Sequence, residues 1–217
     1  MSHSPTLRLT EIYASIQGES SFAGVPCTFI RLTGCPLRCR WCDTAYAFAG
    51  GEEWKLTDIV TKVLALKVPL VEMTGGEPLA QAEAPELIRL LQAEGLQVLI
   101  ETSGAEDVSV LPQATHIIMD LKCPGSGMEE RNLWRNLEHL KPSDEIKFVV
   151  SHRADYDWAR AVIAREGLAE RFHVLFSCAW GLLAPKDLAA WLVEEPLRCR
   201  MQLQQHKYIW GPRTKGV

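Results

Sequence analysis

The chain has 217 residues, of which 47% are hydrophobic and 23% are charged. This composition is typical of a globular protein, and the length suits one well-packed core better than two. Its 23 basic and 27 acidic side chains leave a formal net charge of −4. That charge argues against direct binding of nucleic acid, because no basic field is available to attract a phosphate backbone.

Charged residues interrupt every long apolar stretch, as Lys67 does between Leu64 and Val71, so the sequence predicts no membrane-spanning helix. The segment from Met1 to Thr10 has no apolar core of the kind that a secretion signal carries, which leads us to expect a cytoplasmic protein. The sequence contains no repeat, low-complexity tract or flexible linker. We therefore expect residues 1–217 to form a single domain.

Short apolar or β-branched runs alternate along the chain with amphipathic helical patterns. The predicted strands are Thr28–Gly34, Leu70–Thr74, Gln97–Thr102, His116–Leu121, Glu145–Val150 and Phe172–Phe176. The predicted helices are Leu56–Lys67, Ala84–Glu94, Glu129–Leu140, Ala154–Glu166 and Pro185–Glu194. Alternation repeated about six times is typical of a parallel α/β sheet with helices outside, either open or partly closed as a barrel.

Polar and glycine-rich segments directly follow the first four predicted strands. They are a cysteine-rich loop at 35–42, then Thr74–Pro78, Glu101–Gly104 and Asp120–Pro124. Functional groups of parallel α/β proteins collect at the carboxyl ends of the strands, which lie along one rim. We therefore expect these four segments to form one site.

Seven cysteines are present, an odd number that suits a disulfide framework poorly. Cys35, Cys39 and Cys42 are separated by three and then two residues. A structural zinc site normally takes four ligands in two separated pairs, whereas three thiols in one tight loop favour an iron–sulfur cluster with one iron left open. Zinc, or a cluster completed by Cys27 or Cys123, remains an alternative.

The three-cysteine spacing, with Trp41 just before the last thiol, resembles that of the radical S-adenosylmethionine (SAM) superfamily. Gly75-Gly76-Glu77-Pro78, one strand–helix unit later, is similar to the glycine-rich SAM motif of the same superfamily. The resemblance implies a [4Fe–4S] cluster on the three thiols, with the methionine end of SAM on the open iron. It also implies reductive cleavage of SAM to a 5′-deoxyadenosyl radical.

Flanking segments narrow this resemblance to one family. Ser15–Glu19, Phe29–Cys35, Trp41–Thr44 and Gln204–Trp210 together resemble the 7-carboxy-7-deazaguanine synthases, over nearly the whole chain. That family converts 6-carboxy-5,6,7,8-tetrahydropterin to 7-carboxy-7-deazaguanine with loss of ammonia, in queuosine and 7-deazapurine biosynthesis. The resemblance implies an abbreviated TIM-type barrel of about six parallel strands. It further implies a homodimer, Mg²⁺ at the substrate and an electron donor such as flavodoxin.

The resemblance also assigns individual site residues. It implies substrate binding by Ile16, Gln17, Gly18, Glu19, Arg31, Thr74 and Val217. It implies SAM binding by Trp41, Cys42, Asp43, Gly76, Glu77, Ser103, Asp120 and Lys122, and Mg²⁺ binding by Thr44. The residue types suit these roles, because Arg31 can bind a carboxylate in bidentate geometry. Gln17 and Glu19 can pair with the polar edges of a flat ring, as such side chains do with nucleobases.

Two other functions share parts of this pattern. A glycyl-radical-enzyme activase has the same three-cysteine loop but acts on a protein, and has no need of Gln17, Glu19 and Arg31 as a polar pocket. A non-catalytic iron–sulfur or zinc module needs only the thiols. The chain departs from the family at one segment that bears on SAM binding. Asp120-Leu121-Lys122 stands where many relatives carry a Ser-Pro-Lys type segment.

Overall fold

The computed structural model describes residues 4–217, so the first three residues of the segment examined for a secretion signal lie outside it. Its strands are β1 (Thr6–Ile16), β2 (Pro26–Leu32), β3 (Glu52–Lys55), β4 (Leu70–Gly75), β5 (Gln97–Thr102), β6 (His116–Asp120), β7 (Glu145–Val150), β8 (His173–Cys178) and β9 (Arg200–Met201). Its α-helices are α1 (Leu56–Leu66), α2 (Ala84–Ala93), α3 (Arg153–Glu166), α4 (Leu168–Arg171), α5 (Pro185–Glu194) and α6 (Gln205–Ile209). No helix within these residues has the length and apolarity needed to cross a bilayer.

The strands form one sheet in the order β3-β1-β2-β4-β5-β6-β7-β8-β9. β1 runs antiparallel to β2 and β3, and the pairs from β2 through β9 are all parallel. The two edge strands do not meet, so the sheet stays open as an abbreviated TIM-type barrel. This architecture confirms the predicted fold class.

The sheet has an apolar layer on each face. The larger core packs the helices against one face and contains Ile30 and Val71 among its buried residues. The smaller core lies on the other face and consists of Cys27, Phe29, Leu70, Leu99 and Ile118. Because neighbouring strand residues alternate between these cores, both faces are apolar, as expected for central strands of a parallel sheet.

All six predicted strands are confirmed, as β2 and β4 to β8, and four of the five predicted helices are confirmed as α1, α2, α3 and α5. β1, β3 and β9 were not predicted. The segment Ser15–Glu19, expected to precede the first strand, instead spans the end of β1 and the loop after it.

The predicted helix over Glu129–Leu140 is wrong. That segment forms two short 3₁₀ turns, Glu129–Arg131 and Trp134–Glu138. Two buried asparagines between and within the turns explain the difference. Asn132 bonds the backbone N–H and C=O of Lys122, and Asn136 bonds the backbone of Gly104, Glu106 and Val108. Side chains that satisfy neighbouring loops in this way compete with a continuous helix.

A β-bulge at Thr10 changes the face on which β1 presents its side chains. Leu9 pairs with Leu32, but the next pair is Glu11 with Arg31, which leaves Thr10 as the extra residue. Before the bulge Leu9 belongs to the larger core, whereas after it Tyr13 packs on the smaller one. The bulge therefore turns Glu11 and Tyr13 to the face that carries Arg31.

Candidate functional site

A cavity of about 580 Å³ opens at the carboxyl ends of the parallel strands. Every residue predicted to bind the cluster, SAM, the substrate or Mg²⁺ lines this cavity, except Glu77. These residues are Ile16, Gln17, Gly18, Glu19, Arg31, Cys35, Cys39, Trp41, Cys42, Asp43, Thr44, Thr74, Gly76, Ser103, Asp120, Lys122 and Val217. The four strand-tip segments thus come together as predicted. We call the side formed by the 35–44 loop, Gly76, Ser103, Asp120 and Lys122 the cofactor wall, and the side formed by residues 16–19, Arg31, Glu72, Glu101 and Lys147 the substrate wall, after the ligands that the sequence analysis predicts for most of their residues.

The three clustered thiols lie in the cofactor wall, half-buried and free of disulfides. Hydrogen bonds from Arg40 N to Ser126 O (3.1 Å) and from Cys42 N to Cys39 O (3.2 Å) fix the loop that carries them. Within residues 4–217 no three His, Cys, Asp or Glu side chains converge closely enough to hold a single metal ion. The three thiols are thus not grouped around a single ion in the way that a structural zinc site requires. A [4Fe–4S] cluster binds each thiolate through a different iron atom, so it does not require this grouping.

The other cysteines considered as ligands lie elsewhere. Cys27 is fully buried in the smaller core, and Cys123 is buried in the larger one; neither lines the cavity. Burial raises the pKa of both thiols, as expected for small apolar groups of a core. Cys178 does line the cavity, and burial raises its pKa to about 11.

Close backbone packing explains why glycine stands at position 76. A Cβ atom there would lie 2.0 Å from the carbonyl oxygen of Gly34, just before the first cluster thiol. Gly34 O also accepts a hydrogen bond from Glu77 N at 2.8 Å. The glycine-rich segment and the cysteine loop are therefore in direct backbone contact.

Glu77 lies behind the cofactor wall rather than in the cavity. Its side chain is 0% exposed, and its carboxylate accepts hydrogen bonds from Leu79 N at 3.0 Å, Thr102 Oγ1 at 2.9 Å, and both the backbone N–H and the hydroxyl of Ser103. Burial raises the pKa of this carboxyl, and these hydrogen bonds oppose the rise. Glu77 thereby joins the tips of β4 and β5.

Asp120 and Lys122 form an ion pair in the cofactor wall, with Nζ and Oδ2 2.8 Å apart. The second oxygen of Asp120, Oδ1, is buried and has no hydrogen-bond partner within residues 4–217. An unpaired buried acceptor is costly, so this atom is available to a ligand with N–H or O–H donors. The ribose and ammonium groups of SAM are donors of that kind, and the wall fits SAM in this respect.

Asp43 and Thr44 connect the cysteine loop to the C-terminal segment. Lys207 Nζ contacts Asp43 Oδ2 at 2.5 Å, and Thr44 Oγ1 donates to Asp43 Oδ1 at 3.0 Å. Although desolvation favours the neutral acid, these contacts lower the pKa of Asp43 to about 2. Thr44 is the only side chain predicted for Mg²⁺, and one neutral oxygen suits that ion when an anionic substrate supplies further ligands.

The substrate wall begins with the loop after β1. Glu19 is fixed by Gln204 Nε2 at 2.9 Å, Gln202 Nε2 at 3.3 Å and Lys147 Nζ at 3.3 Å. The loop backbone is tied to the same distant segment, because Gln205 N donates to Gly18 O at 2.9 Å. Residues near both ends of the chain therefore build this wall together.

Three charged residues of the substrate wall were given no ligand by the sequence analysis, although one of them, Glu101, lies in the Glu101–Gly104 segment that was expected at the site. They are Glu72 on β4, Glu101 on β5 and Lys147 on β7, and all three line the cavity. Lys147 forms an ion pair with Glu101; although burial favours the neutral forms, this pairing lowers the pKa of Glu101 and raises that of Lys147. Their signal in the sequence is a charged residue within a strand, at a position directly after an apolar residue.

Glu72 is the most deeply buried carboxyl of the cavity. Its side chain accepts a hydrogen bond from Gln17 Nε2 at 2.5 Å. Burial raises its pKa to about 8, and the charge of Glu101 adds to the rise. At neutral pH this group is therefore mostly protonated in the folded chain.

Sequence comparison places this chain among proteins of one kind. The profile of the Radical SAM superfamily matches residues 29–120. A 7-carboxy-7-deazaguanine synthase of Koribacter versatilis is 46% identical, over 97% of this chain and 100% of that protein. One of Chlorobaculum tepidum is 44% identical over 100% of both chains.

Two solved structures share the fold. The crystal structure of QueE from Escherichia coli matches with a TM-score of 0.75 at 24% identity, covering 91% of this chain and 94% of that one. Streptococcus suis SuiB bound to S-adenosylmethionine matches with a TM-score of 0.54 at 12% identity, covering 79% of this chain and 45% of that one. Both matches show that the fold of this chain is shared with these proteins.

Proposed function

This chain belongs to the 7-carboxy-7-deazaguanine synthase family of radical SAM proteins, and we propose that its two cavity walls divide the reaction between them, with the cofactors on one and the pterin on the other. The reaction is that of a carbon–nitrogen lyase, which converts 6-carboxy-5,6,7,8-tetrahydropterin to 7-carboxy-7-deazaguanine with loss of ammonia, in queuosine biosynthesis. One observation carries the proposal. Three free thiols and the buried polar groups of the substrate wall face the same cavity of about 580 Å³.

Cys35, Cys39 and Cys42 would bind a [4Fe–4S] cluster. SAM would lie along Trp41, Asp43, Gly76, Ser103, Asp120 and Lys122, with Glu77 holding Ser103 in place from behind. When bound, the reduced cluster and SAM supply a deoxyadenosyl radical that removes a hydrogen atom from the substrate. Asp120 Oδ1, which is unpaired within the described residues, is the acceptor we assign to SAM.

The substrate wall would bind and orient the pterin. Arg31 would bind its carboxylate, and the donor-rich edge of its pyrimidine ring would meet the acceptors of Gln17, Glu19 and Glu72. Ile16, Gly18, Thr74 and Val217 would contact the ring, and Thr44 would supply an oxygen to Mg²⁺. Oxygen acceptors suit a tetrahydropterin because its ring nitrogens carry several N–H donors, and the carboxylate of Glu19 and the carbonyl oxygens of Gln17 and of protonated Glu72 are acceptors of this kind.

We extend the proposal to the rest of the molecule. The chain would act as one domain, as a homodimer in the cytoplasm, with a one-electron donor such as flavodoxin. The absence of a basic field at a net charge of −4 supports a free pterin rather than nucleic acid as the substrate.

Turnover of 6-carboxy-5,6,7,8-tetrahydropterin by anaerobically reconstituted protein tests the function. We expect 7-carboxy-7-deazaguanine, ammonia and 5′-deoxyadenosine to form, detected by liquid chromatography and mass spectrometry, only with SAM and a reductant present. Deoxyadenosine without the deazaguanine would point to a radical SAM enzyme with another substrate, such as a glycyl-radical-enzyme activase. Absence of deoxyadenosine would point to a non-catalytic iron–sulfur module.

A further inference from the structure

The guanidinium of Arg31 is fixed on one side by two residues of the neighbouring strand. Arg31 Nε donates to Glu11 Oε1 at 2.7 Å, and Arg31 Nη2 donates to Tyr13 Oη at 3.0 Å. The Arg31 and Glu11 side chains are only 14% and 19% exposed. Arg31 lines the cavity and Glu11 does not, so Glu11 holds the guanidinium from outside the site.

These contacts use one edge of the guanidinium and leave another open. Five N–H groups are available on an arginine side chain, and those of Nη1 bind no side chain within residues 4–217. The two terminal nitrogens together form the edge that matches a carboxylate in bidentate geometry. Because Arg31 lines the cavity, fixing its Nε side leaves the terminal edge for a ligand bound there.

The same Glu11 oxygen also accepts a hydrogen bond from the hydroxyl of Tyr46, at 2.8 Å. Tyr46 follows the cysteine loop by a few residues and its ring stands 5.9 Å from the Arg31 guanidinium. One carboxylate oxygen thus connects the arginine of the substrate wall to the chain that leaves the cofactor wall. Tyr13 is fixed as well, because its ring stacks on Phe29 with centroids 5.2 Å apart.

The bulge in β1 creates this arrangement. If the pairing of Leu9 with Leu32 continued in regular register, Thr10 would stand opposite Arg31, and its hydroxyl cannot neutralise a guanidinium. We propose that Glu11 and Tyr13 are positioning residues, which orient Arg31 so that its terminal edge binds the carboxylate of the substrate. This proposal rests on the proposed function, because it requires a carboxylate-bearing substrate.

The test compares binding of two ligands, 6-carboxy-5,6,7,8-tetrahydropterin and tetrahydropterin without the carboxyl group, to protein reconstituted with cluster and SAM. Glu11→Gln keeps the size of the side chain and removes its charge. We expect it to weaken binding of the carboxylated ligand about tenfold and binding of the other ligand less than about twofold. SAM affinity and iron content should not change.

Glu53→Gln is the matched control. Glu53 pairs across strands with Arg8, also on β1, but this pair is exposed, with Nη2 and Oε1 3.4 Å apart. We expect this variant to bind both ligands as the parent protein does. Tyr13→Phe removes only the hydroxyl that accepts from Arg31 Nη2, and should weaken binding of the carboxylated ligand about threefold. If Glu11→Gln does not fold, Tyr13→Phe tests the positioning of Arg31 in its place.

A double-mutant cycle separates positioning from general stability. Lysine at position 31 cannot bind a carboxylate in bidentate geometry, so adding Glu11→Gln to Arg31→Lys should change affinity less than about twofold. Equal losses for both ligands, or for SAM, would assign Glu11 a structural role and overturn the inference. Unchanged affinity in Glu11→Gln would overturn it while leaving the proposed function intact, whereas a parent protein that does not bind the carboxylated pterin would overturn both.

Discussion

Glu72 and Glu77 lie five positions apart and are both buried, but their oxygens are used differently. Glu77 is 0% exposed and accepts hydrogen bonds from Leu79, Thr102 and Ser103. Glu72 is 2% exposed, lines the cavity and receives a side-chain hydrogen bond from Gln17. A carboxylate saturated by the protein stabilises the cofactor wall, whereas one with free acceptor capacity in a cavity is suited to a ligand.

The same contrast separates the two walls as a whole. On the cofactor wall, close backbone packing of Gly34 against Gly76 holds the cysteine loop in place before the cluster and SAM bind. On the substrate wall, charges such as Lys147 and Glu101 neutralise each other without a ligand. Substitutions in the two walls should therefore affect different ligands, and the following experiments test that division.

The largest effect is expected for the cluster thiols. Cys35→Ala, Cys39→Ala and Cys42→Ala should each abolish turnover and lose the iron–sulfur absorption, because residues 4–217 place no fourth cysteine in the cofactor wall; Cys178 lines the cavity but lies outside that wall. Iron analysis should give about four iron atoms per chain in the parent protein. Cys27→Ala and Cys123→Ala are the controls and should retain the cluster; loss of iron in either would mean four protein ligands and contradict the assignment.

The next effect is expected for Glu77→Gln. Glutamine has one acceptor oxygen in place of two. Its amide nitrogen must therefore face either the Ser103 donors that now bond Oε2 or the Leu79 and Thr102 donors that now bond Oε1. Buried donors on that side lose their acceptor at a cost of about 1–3 kcal/mol. Because those donors belong to the cofactor wall, equilibrium dialysis should show SAM binding weakened about tenfold and pterin binding nearly unchanged. A larger loss of pterin than of SAM affinity would contradict the division of the walls.

A smaller effect is expected for Thr44→Val, which keeps the shape of the side chain and removes its oxygen. Cluster content and SAM cleavage should stay at the parent level, while turnover of the pterin becomes slower and responds little to added Mg²⁺. Turnover measured over a range of Mg²⁺ concentrations gives this result directly. A variant still fully stimulated by Mg²⁺ would place the ion elsewhere.

The last effect concerns stability rather than the binding of a ligand or activity. The pKa of Glu72 is raised to about 8, so between its usual value and pH 8 the folded chain binds a proton that the unfolded chain has released. Its contribution to stability is thus complete at low pH and is lost as the pH rises towards 8. In the parent protein this group should lower the free energy of unfolding by up to about 1.4 kcal/mol per pH unit over this range. Glu72→Gln should abolish this part of the pH dependence, as measured by urea unfolding at pH 5, 6.5 and 8.

Glu53→Gln is again the control, since an exposed carboxyl should leave the slope unchanged. A pH dependence identical in Glu72→Gln and in the parent protein would show that Glu72 titrates normally.

The sequence allowed the cofactor wall to be predicted in nearly all its parts. Cys35, Cys39, Cys42 and Gly76 belong to short continuous motifs, and parallel strands bring such segments to one rim whatever the details of the fold. Glu77 is the exception, because the direction of its side chain depends on where the tip of β5 lies. The substrate wall was predicted only where the resemblance supplied residues.

The remaining residues of the substrate wall depend on tertiary contacts that the sequence does not encode locally. Strict alternation along β1 would place Leu9, Glu11 and Tyr13 on one face, and only the bulge separates them. Lys147 and Glu101 come from strands that are not neighbours in the sheet. No spacing in the sequence predicts such a pair.

The loop after β1 also has a consequence for the order of folding. Ser20 N donates to Gln202 Oε1 at 2.6 Å, and Glu19 accepts from Gln204, contacts that span 182 and 185 positions of the chain. Contacts of such long range form late, because the intervening chain must be ordered first. The thiol loop follows β2, and its backbone contact with the next strand tip, from Glu77 N to Gly34 O, spans far fewer positions. Only its end at Asp43 depends on the C-terminal segment, through Lys207. During refolding, the contact between the thiol loop and the glycine-rich segment should therefore form before the loop after β1 and Asp43 are fixed.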